Sequence, residues 1–187
     1  MVIGVLALQG GFATHARMLR GLGADVREVR VPADLHGLDG LVIPGGESTT
    51  MTLGVQREGL TEPLRELAAA GTPIFGTCAG LIMLDRDHLQ IMDIEARRNA
   101  FGRQVRSFEA DLDIAGLNGV PVRAVFIRAP WIASHGEEVE ILAEVDGQAV
   151  AAQQGRMLVV AFHPELGADT RLHERFLASV SEAASAE

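Results

Sequence analysis

With 187 residues the chain has room for one domain with a sizeable core and too little for two comfortable ones. Its 48% hydrophobic and 22% charged content excludes a disordered or fibrous protein, and a formal net charge of -9 with no basic run excludes an electrostatic footprint on nucleic acid or an anionic membrane. A single cysteine closes no internal disulfide, so the expected compartment is the reducing cytoplasm.

Residues 2–8 form a continuous apolar run that stops at Gln9-Gly10-Gly11. It is too short for a signal core or a membrane span, and such a run suits a strand covered on both faces. Phe12, Ala16, Leu19 and Leu22 recur at helical spacing up to Gly21 and Gly23, and residues 25–31 alternate as a second strand. "LDGLVIPGG" supplies a third strand ending in glycines, after which Ser48 or Thr49 caps a helix. A further helix fits residues 61–70, and "TPIFG" is another short buried strand.

This alternation predicts an α/β fold, a three-layer, flavodoxin-like arrangement with a mostly parallel central sheet and helices on both faces. In such sheets active sites gather where strands end, which is where the glycine loops fall. Between residues 97 and 162 the pattern changes to shorter strands at 120–127, 139–145 and 157–162, so an antiparallel portion is expected there. A last helix carries Leu172, Phe176, Leu177 and Val180, and "SEAASAE" after it is small and polar enough to fray. No repeat or linker interrupts residues 1–187, which read as a single domain.

Cys78 lies in "GTCAG", between a predicted strand and a predicted helix. Glycine-x-nucleophile-x-glycine is the form of a nucleophile elbow, in which small neighbours allow a sharp turn and the helix N-terminus favours the reactive thiolate. A buried spacer cysteine also fits this local pattern. A nucleophile needs a base, and of the six histidines His163 follows the apolar run "MLVVAF" in "FHPE", at the end of a buried strand. Pro164 keeps His163 out of the helical region, and in an extended segment Glu165 points to the same side and can orient the imidazole. A structural histidine and a helix-leading acid are the plain alternatives. "PGGESTT", residues 44–50, lacks the lysine of a P-loop, so its amides suit an oxyanion or a carboxylate better than a phosphate. No Cys pair or HExxH spacing supports a metal site.

Taken together these stretches resemble the class I glutamine amidotransferases. "GVLALQGGFATH", "PGGESTT", "GTCAGL", "RNAFGRQVRSFEADL", "FIRAP" and "FHPE", in this order over nearly the whole chain, are similar to the glutaminase-subunit family of pyridoxal 5'-phosphate synthases. The resemblance implies Cys78 as nucleophile, His163 as general base and acid, and Glu165 as the residue that orients it. It also implies oxyanion-hole amides from Gly46 and Ala79, and glutamine contacts from Gly46, Glu47, Ser48, Arg98, Ile127 and Arg128. Free glutamine carries an α-carboxylate and an α-ammonium, so an arginine and an acidic or carbonyl group are the partners it requires. Gln9 is expected to help form the oxyanion hole when a partner docks.

The reaction so implied releases glutamate and ammonia from L-glutamine through a glutamyl thioester. The ammonia passes to a barrel-shaped synthase subunit in a large hetero-oligomer, where pyridoxal 5'-phosphate is a product and not a cofactor of this chain. One departure is that only "DRDHLQIMDIEA" separates "GTCAGLIML" from "RRNAFGRQ", which leaves Arg97 as an alternative to Arg98. A stand-alone γ-glutamyl or other cysteine hydrolase fits "SFE" and "FIRAP" poorly, and a noncatalytic regulatory module fits poorly with the intact Cys78, His163 and Glu165.

Overall fold

A computed structural model of the chain describes residues 1–98 and 107–185. In chain order its elements are β1 (Val2–Leu6), α1 (Phe12–Gly21), β2 (Asp25–Val29), β3 (Gly40–Ile43), α2 (Ser48–Arg57), α3 (Thr61–Ala69), β4 (Ile74–Thr77) and α4 (Ala79–Leu84). There follow β5 (Ile94–Arg97), β6 (Ser107–Leu112), β7 (Val122–Ile127), β8 (Trp131–His135), β9 (Glu140–Val145), β10 (Gln148–Gln154), β11 (Met157–Val160) and α5 (Arg171–Ser185). Short 3-10 turns occupy Pro32–Leu35 and Pro164–Leu166. The "NAFGRQ" stretch lies outside the described residues.

The main sheet runs β2-β1-β3-β4-β11-β10-β8-β5, with β9 paired to β10. Strands β2, β1, β3, β4 and β11 are parallel neighbours, the flavodoxin-like order, whereas β10, β8, β5 and β9 join through antiparallel pairs. The expected division at residue 97 is therefore not clean. β11 pairs parallel with β4 on one side and antiparallel with β10 on the other, so it joins the two parts. β6 and β7 form a separate antiparallel hairpin.

Successive strand residues face opposite sides of a sheet, and β4 shows both coverings. Phe75 points to the side of α1 and α5, its ring 5.5 Å from His173 and 5.8 Å from Phe176. A side chain at Gly76 would instead meet the Gly80 carbonyl oxygen of α4 at 2.8 Å. Every residue of β3, β4 and β11 is buried, as the continuous apolar runs require.

Several boundaries differ from expectation for local reasons. β2 ends at Val29 and not at residue 31, because the Asp34 carboxylate accepts the amides of Arg30 (2.9 Å) and Val31 (3.0 Å) and turns the chain. α2 is capped by neither Ser48 nor Thr49. The Glu47 side chain accepts from the amides of Thr49 (3.1 Å) and Thr50 (2.7 Å). α5 continues to Ser185 without fraying earlier, since Ala183 is buried and the Ser181 hydroxyl donates to the Leu177 carbonyl. β5, β6, β8 and β10 escape the sequence reading, β10 because "QAVAAQQ" is rich in residues that favour helices.

Candidate active site

Cys78 is the hinge between β4 and α4. Its amide donates to the Val160 carbonyl at 2.8 Å, and its backbone adopts φ 49° and ψ -106°, a left-handed φ that non-glycine residues rarely take. The flanking glycines make this turn possible. A Cβ on Gly80 would collide with the Ile43 carbonyl oxygen of β3, so α4 can start this close to the sheet only with glycine at that position. The thiol is buried at 6% exposure, yet it lines a cavity of about 310 Å³. Its sulfur lies 4.0 Å from the Ile127 carbonyl oxygen.

His163 follows Ala161 and Phe162 just beyond the end of β11, and its amide donates to the Val125 carbonyl of β7 at 2.9 Å. Pro164 opens a 3-10 turn, and Glu165 sits in that turn instead of the expected extended segment. The turn carries its carboxylate back beneath the imidazole, with Nδ1 and Oε1 2.8 Å apart. An ionised carboxylate only accepts hydrogen bonds, so Nδ1 carries the proton and Nε2 is left for exchange with the sulfur. A Cβ on Gly45 would meet His163 Cε1 at 2.6 Å and Cys78 Cβ at 3.1 Å, so the glycine loop packs directly on both residues.

Burial works against a charged His163, but hydrogen bonding to Cys78 and Glu165, together with their charges, outweighs it and raises the imidazole to about 10. Burial likewise works against ionised Glu165, and the hydrogen bond and charge of His163 still hold it below the usual carboxylate value. Glu165 is buried and precedes α5 by several residues, so it is not a helix-leading acid.

The cavity wall contains Cys78, Ala79, Gly46, Glu47, Ser48, Arg98, Ile127, Arg128 and His163, and also Ile82 and Pro130, which sequence reasoning did not single out. Arg98 Nη1 donates to Thr49 Oγ1 at 3.1 Å, while Arg97 turns away and pairs with Glu95 at 3.0 Å. The hydrogen bonds from Thr50 and Thr49 hold the exposed Glu47 carboxylate down to about 2, so it remains ionised. Gln9 is not on the cavity wall. Its side chain accepts from the Glu47 amide (3.1 Å) and donates to the Glu47 carbonyl (3.2 Å), bracing the loop from behind, and a Cβ on Gly46 would strike it. Arg128, at φ 45°, is a second strained residue on the wall.

Beneath Cys78, His163 and Glu165 lies a group that the sequence reading did not bring together: His15 on α1, Thr77 at the end of β4 and His173 on α5, all fully buried. Its sequence signal was that His15, in "GFATH", and His173 are two of the six histidines. Among the described residues, no group of three or more His, Cys, Asp and Glu side chains is placed to hold a metal ion, and no helix is long and apolar enough to cross a membrane.

This geometry has relatives. The subunit PdxT of pyridoxal 5'-phosphate synthase from Desulforamulus reducens is 54% identical over 184 residues, covering 95% of this chain and 98% of the relative. The same subunit from Deinococcus radiodurans is 53% identical over 196 residues, covering 98% and 100%. A crystal structure of a glutamine amidotransferase superposes with a TM-score of 0.90 at 43% identity, covering 97% of this chain and all of that one. The structure of PurLQS from Thermotoga maritima, at 14% identity and a TM-score of 0.73, shares the fold over 98% of this chain and 98% of the matched chain. The model of the SNO glutamine amidotransferase family matches residues 5–182, a span that includes the elbow, the glycine loop and the His-Pro-Glu turn. With near-complete relatives on both counts, the chain belongs to the SNO glutamine amidotransferase family.

Proposed function

We propose that this chain hydrolyses L-glutamine to L-glutamate and ammonia and delivers the ammonia to a synthase subunit that makes pyridoxal 5'-phosphate. The observation that carries the reading is one cavity walled by the strained Cys78, by His163 with Glu165 hydrogen-bonded behind it, and by Arg98 across from them. The relatives named as subunits of that synthase support the partner. A barrel-shaped synthase within a large hetero-oligomer is the further expectation, and a catalytic thiol suits the reducing cytoplasm.

In the first half-reaction the sulfur of Cys78, whose proton His163 Nε2 already holds in the imidazolium, attacks the side-chain amide carbon of glutamine. The oxyanion that develops is met by the amides of Gly46 and Ala79; the Ala79 amide, in the first turn of α4, has no partner within its own helix. His163 then gives its proton to the amide nitrogen, the C–N bond breaks, ammonia leaves and a glutamyl thioester remains. In the second, His163 takes a proton from water, the hydroxide attacks the thioester, and the C–S bond breaks to release glutamate and return the sulfur to its place beside the protonated His163. Glu165 keeps Nδ1–H directed inward through both halves. Arg98 and Arg128 suit the α-carboxylate, the ionised Glu47 suits the α-ammonium, and Ser48 and Ile127 complete the wall. Gln9 holds the Glu47 peptide, so its role is to set the loop that presents the Gly46 amide when the synthase docks.

The test measures glutamate and ammonia release from glutamine with and without the synthase subunit. Wild type should accelerate sharply with the partner, and Cys78→Ala should be inactive in both conditions. An active Cys78→Ala protein overturns the mechanism, and efficient cleavage of γ-glutamyl peptides without a partner overturns the assignment in favour of a stand-alone hydrolase.

A further inference from the structure

Glu165 uses only one of its two oxygens on His163. The other, Oε2, is buried and accepts no well-formed hydrogen bond among the described residues; the nearest charged or polar ring atom is His15 Nε2, at 3.3 Å. His15 Nε2 is also 3.0 Å from Thr77 Oγ1, and on the other edge of the ring Nδ1 is 2.9 Å from His173 Nε2. His173 Nδ1 has no partner among the described residues.

Hydrogen-bond accounting selects one tautomer of this chain of rings. With the proton of His15 on Nδ1, that N–H would donate to His173 Nε2 and force the proton of His173 onto its unpartnered Nδ1. A buried N–H would then be left unsatisfied, and a lone pair of His15 would face the ionised Glu165. With the proton on Nε2, His15 donates towards Glu165 and Thr77 and accepts from His173 Nε2–H. The two atoms left without a well-formed hydrogen bond, His173 Nδ1 and Glu165 Oε2, are both acceptors, so no buried donor is orphaned and no lone pair of His15 faces the carboxylate. Burial, the largest influence on each ring, lowers His15 to about 4 and His173 to about 3, so both rings are neutral and have a tautomer to choose.

We propose that His15 is a positioning residue of the triad: its Nε2–H, bonded to Thr77 and 3.3 Å from the outer oxygen of Glu165, attracts that oxygen, so that the carboxylate keeps Oε1 on His163 Nδ1, and His173 fixes the tautomer that makes this possible. The inference rests on the triad reading above. Without a donor on its outer side the carboxylate is free to rotate about its terminal bond, and the His163 ring loses its fixed direction towards the sulfur. α1, β4 and α5 each contribute one member, so the turn that carries Glu165 is tied to the centre of the fold.

The experiment compares His15→Leu, which removes the donor, with His15→Gln, whose amide N–H reaches about as far along the side chain as Nε2. Steady-state glutamine hydrolysis is measured in the presence of the synthase subunit, with far-UV circular dichroism and melting temperature as the check on folding. His15→Leu should lose tenfold or more in kcat with KM changed less than twofold, and His15→Gln should recover kcat to within about threefold of wild type. A folded His15→Leu protein with wild-type kcat, or Leu and Gln variants equally impaired, overturns the proposal. Should His15→Leu not fold, nitrogen NMR of the histidine-labelled wild type decides: Nε2-protonated His15 upholds the proposal and Nδ1-protonated His15 overturns it. Cys78→Ala measured alongside separates the two readings, because a failure of His15 alone leaves that variant inactive, whereas an active Cys78→Ala overturns both.

Discussion

Glu165 acts on His163 through a 2.8 Å hydrogen bond and through its charge, and both favour the imidazolium. The sign of the pH effect follows. The imidazolium is present below about 10 and is lost as pH rises through that value, so the proposed mechanism predicts an alkaline limb of kcat/KM that follows His163. Glu165→Gln removes the charge that helps to raise it, so the limb should move to lower pH. kcat should fall by roughly 10²-fold, the lower range of what a correctly held general base contributes. A pH profile of glutamine hydrolysis checks both, and an unmoved limb would count against the pairing. Cys78, His163 and Glu165 stood out in the sequence because each sits beside a constraint visible in one dimension, glycines around the first and a proline between the other two, whereas the residues of the cavity wall came from the family resemblance. His15 and His173 were not legible. They are 158 positions apart, and only the packing of α1 against α5 brings their rings to 2.9 Å.

At the scale of elements, the elbow depends on α4 lying close to β3 and β4. Gly80→Ala would push a methyl group into the Ile43 carbonyl and so force α4 outward. A decrease of about 1–3 kcal/mol in unfolding free energy, the usual range for overpacking, is expected from urea titration, together with a loss of activity larger than the stability change explains. The parallel strands β1, β3, β4 and β11 were readable from their apolar runs because burial on both faces erases alternation, whereas β2 at the sheet edge showed itself by alternation. β5, β6 and β8 were not, since they are half-exposed, β5 and β6 carry charged residues, and β6 and β7 pair with each other outside the main sheet. The Glu47 cap escaped notice for a related reason: serine and threonine are the usual caps, and here the residue just before them takes both amides.

The molecule as a whole sets the buried parallel strands β3, β4 and β11 against a more exposed hairpin, and the cavity wall draws on both. Ile127 and Arg128 come from the end of β7, whereas Cys78 and His163 come from the ends of β4 and β11. Amide hydrogen exchange should resolve this division. β4 amides should exchange only on global unfolding, and β6 amides should exchange roughly 10²-fold faster or more through local opening. Equal protection in the two strands would contradict it. The α/β class and the layering were legible from the alternation of strands and helices over the first half of the chain. The dual role of β11 was not, because a short buried strand looks the same in sequence whether its neighbours run with it or against it.

The left-handed φ of Cys78 has a consequence for anyone who would redesign the chain. Held in a sparsely populated conformation at a cost of about 1–3 kcal/mol, this turn would be more comfortable with glycine, which adopts positive φ freely. The thermodynamic optimum and the chemical optimum of position 78 therefore lie on different amino acids. A procedure that rewards folding alone would choose glycine there, and the resulting protein would be sturdy and inert.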